Sequence, residues 1–293
     1  MLGRMHRIFV LLFAVCIAVS CTAQAQVKTL TWTPSVVQSG SPELFRVAAP
    51  RDAEVEGEWQ GHPLQFFPGR TGKAWYALAG VDVEAATGPA PIHVSIRINH
   101  TTREINTTIA IQPAHYRTTT ITVPPKFVEP GPKEKKIIDA ANEAKKTAFA
   151  TSADHPLWDG SFRAPVPATA TDSFGTRRVY NGKLDGIHRG TDFRAHMGTP
   201  VRAGNSGVVV LAQPLYYEGN CVIIDHGLGL YSLSMHLSRI DVKTGDRVQK
   251  GQRIGLSGAT GRVTGPHLHW AIRWQGGYID PTKLLRINLD KLP

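Results

Sequence analysis

Cysteine is nearly absent from this 293-residue chain, which has three, at positions 16, 21 and 221. The first two fall in a leader-like stretch, so only Cys221 remains behind it, and a single thiol forms no internal disulfide. Its surroundings, Gly219-Asn220-Cys221-Val222-Ile223-Ile224, read as an apolar strand. That setting makes Cys221 a buried, inert thiol rather than a nucleophile or a metal ligand. Long apolar runs are missing too: the one at 8–19 is too short for a comfortable membrane span. Gly258-Ala259-Thr260-Gly261 lacks the lysine of a phosphate-binding loop. Gly255-Leu256-Ser257-Gly258 is not a GxSxG elbow, which disfavours serine hydrolysis.

Acidic residues are scarce, 23 against 33 Lys and Arg. From Gly160 onward there are 17 basic and 9 acidic residues, a surplus of +8. Once residues 1–25 are set aside, that is the whole surplus of the chain. A basic surface around a cleft favours a polyanionic substrate or matrix. No nucleic-acid motif accompanies it, so nucleic acid is not the expected partner.

Residues 1–25 carry Arg4 and Arg7, an apolar run and no acidic residue, the pattern of a secretory signal. Ala23-Gln24-Ala25 offers a cleavage site. Ala18-Val19-Ser20-Cys21 offers an imperfect lipoprotein signal, with alanine where leucine is usual. The expectation is an exported protein of the periplasm or cell envelope, cut after Ala25. The alternative is a lipoprotein anchored at Cys21, which is the one route to a membrane.

What remains has the length for two domains, and 42% hydrophobic residues suffice for ordinary cores. Residues 26–122 read as β, with strict alternation at 92–98 and 104–111 and Gly and Pro between such runs. Several short strands predict a sandwich. Pro124-Pro125 breaks that pattern, and 133–150, rich in Ala, Lys and Glu, predicts a helix inside a linker over 123–159. From 160 to 293 the pattern is β again. Strand candidates are Val201, 208–211, 221–224 and 230–233, and 242–255 reads as a hairpin-like segment.

The chemistry concentrates in Gly265-Pro266-His267-Leu268-His269-Trp270. On a strand, His267 and His269 share one face while Leu268 and Trp270 pack behind. Two imidazoles facing one way are either solvated surface residues or part of a metal site, which needs a further ligand from elsewhere. His188-Arg189-Gly190-Thr191-Asp192 supplies the best candidates. Fully extended, His188 and Asp192 lie roughly 13 Å apart, so sharing an ion requires a bend, and Gly190 permits one. Together the stretches offer His, Asp and His, a donor set suited to Zn2+ with a fourth position for water. Spacing leaves open which of His267 and His269 is the ligand. His62, His93, His100 and His115 have no ligand spacing. His226, between Asp225 and Gly227, is expected to shape a turn, and His196 either lines the cleft or is exposed.

The run from Phe174 to Pro281 resembles the catalytic domain of the lysostaphin/LytM-type zinc endopeptidases, the M23 metallopeptidase family. The motifs are Ser173-Phe174-Gly175, Tyr180-Asn181-Gly182, the HxxxD from His188 to Asp192, and Gly198-Thr199-Pro200-Val201. Gly219-Asn220, Asp225-His226-Gly227, Met235-His236-Leu237-Ser238, Gly258-Ala259-Thr260-Gly261, the HLH and Asp280-Pro281 follow. No ligand position departs from the family pattern; Met235 stands where tyrosine is more usual. Trp75-Tyr76-Ala77-Leu78-Ala79-Gly80-Val81-Asp82 more weakly resembles the Ig-like domain found before some M23 domains.

The resemblance implies a mainly β protein: an Ig-like β-sandwich over 26–122, a helical linker over 123–159, and an antiparallel β domain of the LytM/M23 type over 160–293. It implies zinc-dependent hydrolysis of peptide bonds in the cross-links of bacterial cell-wall peptidoglycan. It assigns His188, Asp192 and His269 to the metal, His267 to general-base catalysis, and His236 to the developing oxyanion. The alternative is a catalytically silent relative that binds cell wall or activates an amidase. Such relatives generally lack ligands, whereas this chain keeps all three.

Overall fold

The computed structural model describes residues 29–290 and 292. The leader at 1–25 and both of its processing sites, Ala25 and Cys21, lie outside the described residues. The protein is mainly β, with an N-terminal β region, one long helix and a C-terminal β domain. Among the described residues no helix is long and apolar enough to cross a membrane.

Strand alternation builds the N-terminal region. In Gly88–Ile98, Ile92, Val94 and Ile96 are buried and their neighbours face outward. This strand sits between Thr101–Gln112 and Glu54–Trp59 in a five-stranded sheet. A four-stranded sheet places Pro42–Val47 between Leu30–Thr33 and Trp75–Gly80. Phe45 from one sheet meets Trp59 from the other edge-to-face, with ring centroids 5.0 Å apart. Both rings are fully buried, so the two sheets share a core.

The end of the expected sandwich at 26–122 belongs to a sheet beyond it. Strand Thr118–Ile121 pairs in parallel with Arg177–Tyr180. Asn181, at φ 49°, pins the chain that follows: its Nδ2 donates to Val123 O at 2.9 Å and its Oδ1 accepts from Val123 N at 3.0 Å. Helix Pro132–Ala148 then starts as its sequence dictates, with Pro132 at the first helical position, and ends with Lys145 and Lys146 at its negative pole. Its small residues Ala141 and Ala148 let it pack against Leu211, Leu215, Ile223 and Leu233.

Those partners lie on one face of an eight-stranded sheet. Its order is Ala170–Asp172, Thr191–Phe193, Leu268–Trp274, Leu230–Leu237, Gly219–Asp225, Gly207–Leu215 and Arg247–Val248, with Gly277–Ile279 also paired to Leu268–Trp274. Leu268, Trp270 and Ile272 point to the opposite face and are wholly buried. His269 and Ala271 therefore face the helix side, and Ala271 joins the helix-side core. The N-terminal region docks on the edge strand: Tyr278 N donates to Asp82 Oδ2 at 2.7 Å and Val83 N to Tyr278 O at 3.0 Å.

The expected hairpin over 242–255 does not form. Arg247–Val248 pairs with Gly207–Leu215, whereas Arg253–Leu256 pairs with Pro200–Arg202 and Arg239–Ile240 in a separate three-stranded sheet. The turn between them bonds outward instead of closing a ladder: Gly251 N donates to Ala203 O at 2.9 Å and Ala203 N to Gln252 O at 2.8 Å. Local alternation carries no information about that non-local partner.

Candidate metal centre

Two neighbouring strands and one turn converge on a point. Asp192 in Thr191–Phe193 lies directly opposite His269 in Leu268–Trp274, a cross-strand pair whose side chains share the helix-side face. His188 arrives from the turn before Thr191. Its backbone is bracketed by Gly175 N donating to His188 O and His188 N donating to Thr176 O, both at 2.8 Å. His188 Nε2 lies 3.1 Å from Asp192 Oδ1 and 2.8 Å from His269 Nδ1; His269 Nδ1 lies 2.8 Å from the same Oδ1. All three residues are buried.

These donors fit a small divalent ion. A tetrahedral ion about 2.0–2.1 Å from each ligand holds its ligands about 3.3 Å apart, close to the separations here. The surroundings aim the lone pairs inward. His188 Nδ1 donates to Ser173 O at 3.1 Å, which leaves its Nε2 unprotonated toward the cluster. Arg178 Nη2 donates to Asp192 Oδ2 at 2.6 Å and so fixes the carboxylate with Oδ1 facing the imidazoles. Burial alone would raise the Asp192 pKa, but the adjoining His188 and His269 rings hold it well below the usual carboxylate range. Burial pushes His269 down to about 4, so its ring is neutral, the form that binds metal.

Gly190 does more than permit a bend. Its φ is unexceptional, and its role is space: a Cβ there would lie 2.4 Å from His269 Nε2 and 2.7 Å from Trp270 O. Gly190→Ala is therefore expected to push the His269 ring off the cluster and weaken metal binding by roughly 10- to 100-fold, the scale of a disturbed ligand support. Competition with a chelator measures this, and unchanged affinity would contradict the steric argument.

His236 reaches the same cleft by breaking the strand rule. In Leu230–Leu237, Tyr231, Leu233 and Met235 face the helix, so alternation would turn His236 away. A register shift against Gly219–Asp225 places Asn220 opposite Leu237 but Val222 opposite Ser234, an extra residue on the His236 strand. With φ 61°, His236 turns back toward the site, the re-aiming that a bulge provides. Its ring centroid lies 4.9 Å from that of His267 and 6.0 Å from that of His269. Its Nδ1 donates to Thr260 O at 2.8 Å. Burial, then the neighbouring His269 and His267, push it down to about 3. His267 precedes the strand, with Nδ1 donating to Gly265 O at 2.8 Å and Nε2 3.6 Å from Asp192 Oδ1.

The donor cluster opens to a cleft of about 210 Å3 lined by Lys145, Arg178, Tyr180, Tyr217, His236 and Arg262 among others. Its walls are rich in cations, and Glu218, the one carboxylate of the wall among the described residues, is paired with Lys145 at 2.5 Å. Other histidines stand apart. His226 is a core residue, its ring nitrogens 2.8 Å from Ser206 O and Ser232 Oγ. His196 is exposed, and His93 pairs with Glu104 on the N-terminal surface. Cys221 is wholly buried with its thiol raised above the normal range by desolvation, consistent with an inert residue. Sequence reasoning did not anticipate Arg178 or the Ser173 carbonyl as supports. Both lie in or next to quoted motifs, but their contacts cross between elements.

Three convergent donors, two on paired strands and one on the adjoining turn, with further imidazoles on the cleft side, fit an open metal site that a ligand can approach, in contrast to a closed structural one. Residues 186–281 match the model of peptidase family M23, and the C-terminal domain of this chain belongs to that family. The chain is 50% identical over 114 residues to the peptidoglycan DD-endopeptidase ShyA of Vibrio cholerae, covering 39% of this chain and 26% of ShyA. It is 41% identical over 98 residues to the DD-carboxypeptidase/endopeptidase Mpg of Neisseria meningitidis, covering 33% of this chain and 23% of Mpg. The chain thus spans about a quarter of the length of these curated relatives. A crystal structure of a putative peptidase M23 from Pseudomonas aeruginosa superposes with a TM-score of 0.65 at 26% identity. That likeness covers 85% of this chain and 94% of the other, so it includes the N-terminal region.

Proposed function

We propose that the protein is a zinc-dependent endopeptidase that hydrolyses peptide bonds in the cross-links of bacterial peptidoglycan, in cell-wall remodelling or lysis. The observation that carries this reading is the complete His188, Asp192, His269 donor set with His236 and His267 facing the same cleft. The local identity to a peptidoglycan DD-endopeptidase supports the substrate, and the cationic cleft suits a polymer that bears carboxylates.

In this reading His188 Nε2, Asp192 Oδ1 and His269 Nδ1 hold the ion, and two nitrogens with one oxygen suit zinc. Bound zinc supplies a Lewis acid that polarises the scissile carbonyl and brings the pKa of a water to about 7. Arg178 keeps Oδ1 turned inward. His267 is the general base, and its geometry supports that role: Nδ1–H is committed to Gly265 O, so the neutral ring accepts a proton at Nε2. The carboxylate 3.6 Å from that atom stabilises the resulting imidazolium. His236 is the oxyanion partner at its own Nε2. Because its Nδ1–H is likewise committed, Nε2 becomes a donor only in the imidazolium form.

The same reading divides the chain into an export signal at 1–25, an Ig-like sandwich at 26–122, a linker with its helix at 123–159, and the catalytic domain at 160–293. The location is the periplasm or cell envelope, with membrane attachment only through an acylated Cys21. A silent wall-binding or amidase-activating relative is disfavoured by the intact donor set.

Elemental analysis of protein purified without added metal is expected to give about one zinc per chain. Digestion of defined peptidoglycan is expected to yield new peptide amine and carboxylate termini by mass spectrometry, with glycan strands intact. An unchanged muropeptide profile from zinc-loaded protein would overturn the reading.

A further inference from the structure

Two aromatic rings stand between the N-terminal region and the loop that supports His188. Tyr116 lies between strands Thr101–Gln112 and Thr118–Ile121, and Phe174 lies in the loop just before strand Arg177–Tyr180. The rings meet edge-to-face with centroids 6.2 Å apart. Each presses on a glycine backbone across the seam. A Cβ on Gly175 would lie 2.0 Å from Tyr116 Cε1, and one on Gly40 would lie 2.4 Å from Phe174 Cε1 and 2.5 Å from Tyr116 Oη. Both glycines also sit at φ 81°, where other residues are strained. The Tyr116 hydroxyl donates to Ser39 O at 2.7 Å. Ser39 is itself held in the N-terminal region, its amide donating to Gln112 O at 3.1 Å and its hydroxyl to Ala85 O at 3.2 Å.

The far side of this stack carries a metal donor. Ser173 O accepts from His188 Nδ1 at 3.1 Å, Gly175 N donates to His188 O at 2.8 Å, and His188 N donates to Thr176 O at 2.8 Å. The loop at 173–176 thus fixes the backbone of His188 together with the tautomer that turns an unprotonated Nε2 toward the cluster. The chain leaving the loop is bonded to the chain leaving Tyr116, since Arg177 N donates to Arg117 O at 2.8 Å and the two following strands pair in parallel. The N-terminal region reaches the ligand turn by a second tie, the ion pair of Glu84 with Arg189. Both of its side chains are about half exposed, and exposed pairs contribute little. The ring stack, with Phe174, Gly40 and Gly175 all buried, is the stiffer connection.

We infer that Tyr116 is a positioning residue for the metal centre: it seats the 173–176 loop on the N-terminal region and thereby holds His188 in place to bind the ion. The inference rests on the zinc peptidase reading above and goes beyond it, because it makes the N-terminal region part of the support of the centre. Tyr116 acts at one remove, through a loop that bonds His188 at both its ring and its backbone. Loss of such support weakens metal binding without removing a ligand.

The test compares the full chain as wild type, Tyr116→Leu and Tyr116→Phe, with Val94→Ala in the N-terminal core as a control for lost stability alone. Each is stripped of metal and titrated with zinc against a chromophoric chelator, at a temperature where all are folded. Each is also titrated with cobalt(II), whose visible absorption reports ligand geometry. Melting temperature and muropeptide cleavage are followed in parallel. Tyr116→Leu is expected to bind zinc roughly 10- to 100-fold more weakly than wild type, with a shifted cobalt spectrum. Tyr116→Phe keeps the ring against Gly175 and should restore most of that loss. Val94→Ala should melt lower with its zinc affinity unchanged. Phe174→Leu loosens the same seat from the loop side, is expected to act in the same direction, and carries the test if Tyr116→Leu does not fold. Wild-type affinity and spectrum in Tyr116→Leu, or an equal loss in Val94→Ala, would overturn the inference. A wild type that takes up neither ion would overturn both the inference and the peptidase reading. If the variants rank as expected while wild type cleaves no muropeptide, the positioning role stands and the peptidase reading fails.

Discussion

His188→Ala is expected to lose metal and peptidoglycan hydrolysis together, with turnover falling by roughly 10⁴-fold or more. The magnitude follows from the chemistry assigned to the ion: a water whose pKa a zinc site brings from 15.7 to about 7 returns to its unassisted value once the ion is gone. The structure makes this position sensitive. His188 Nε2 is in hydrogen-bonding distance of both Asp192 Oδ1 and His269 Nδ1, so its removal takes one donor from the ion and one partner from each remaining ligand. Asp192 is then a buried carboxylate that keeps the Arg178 contact and loses the His188 one. Zinc content by elemental analysis and turnover of a defined cross-linked muropeptide check the result. A variant that retained both would remove His188 from the centre.

The donors of this centre were legible because they lie in two short motifs, and the sheet turns short-range spacing into proximity. Asp192 and His269 are 77 positions apart yet directly opposed across one strand pair. The alternation that put Leu268 and Trp270 in the core also put His269 on the other face. The helix was equally readable: the expected 133–150 and the observed Pro132–Ala148 differ by one or two residues at each end, because Pro132 and the Ala, Lys and Glu content act locally. What local pattern could not give was anything fixed by a distant backbone. The segment at 242–255 found separate sheets because Ala203 bonds its turn. In the sequence Gly190 reads as a hinge, whereas the constraint on it is a ring that arrives from residue 269. His236 is the sharpest case, since period-two alternation aims it away from the site and only a bulge against Gly219–Asp225 brings it back.

That bulge gives the second large effect. His236→Ala and His267→Ala are expected to keep zinc and the fold while losing activity, by roughly 10²- to 10³-fold for a missing oxyanion partner and roughly 10²- to 10⁴-fold for a missing general base. Neither ring is among the three donors that converge within 4.8 Å, which is why metal should survive. If His267→Ala released the ion while His269→Ala retained it, the roles within the HLH would be exchanged. His236 allows a further discrimination, because its backbone is held at φ 61°, where a side chain with a Cβ is strained by about 1–3 kcal/mol. Within strands, glycine normally destabilises relative to alanine by roughly 0.5–1 kcal/mol. At this position the order should invert, with His236→Gly melting above His236→Ala although both are inactive. Equal inactivity isolates the imidazole as the functional group, and the inverted stability isolates the backbone as the cost of aiming it. Were alanine the more stable of the two, the positive φ would carry no strain and the bulge would be no more than a neutral detour of the strand.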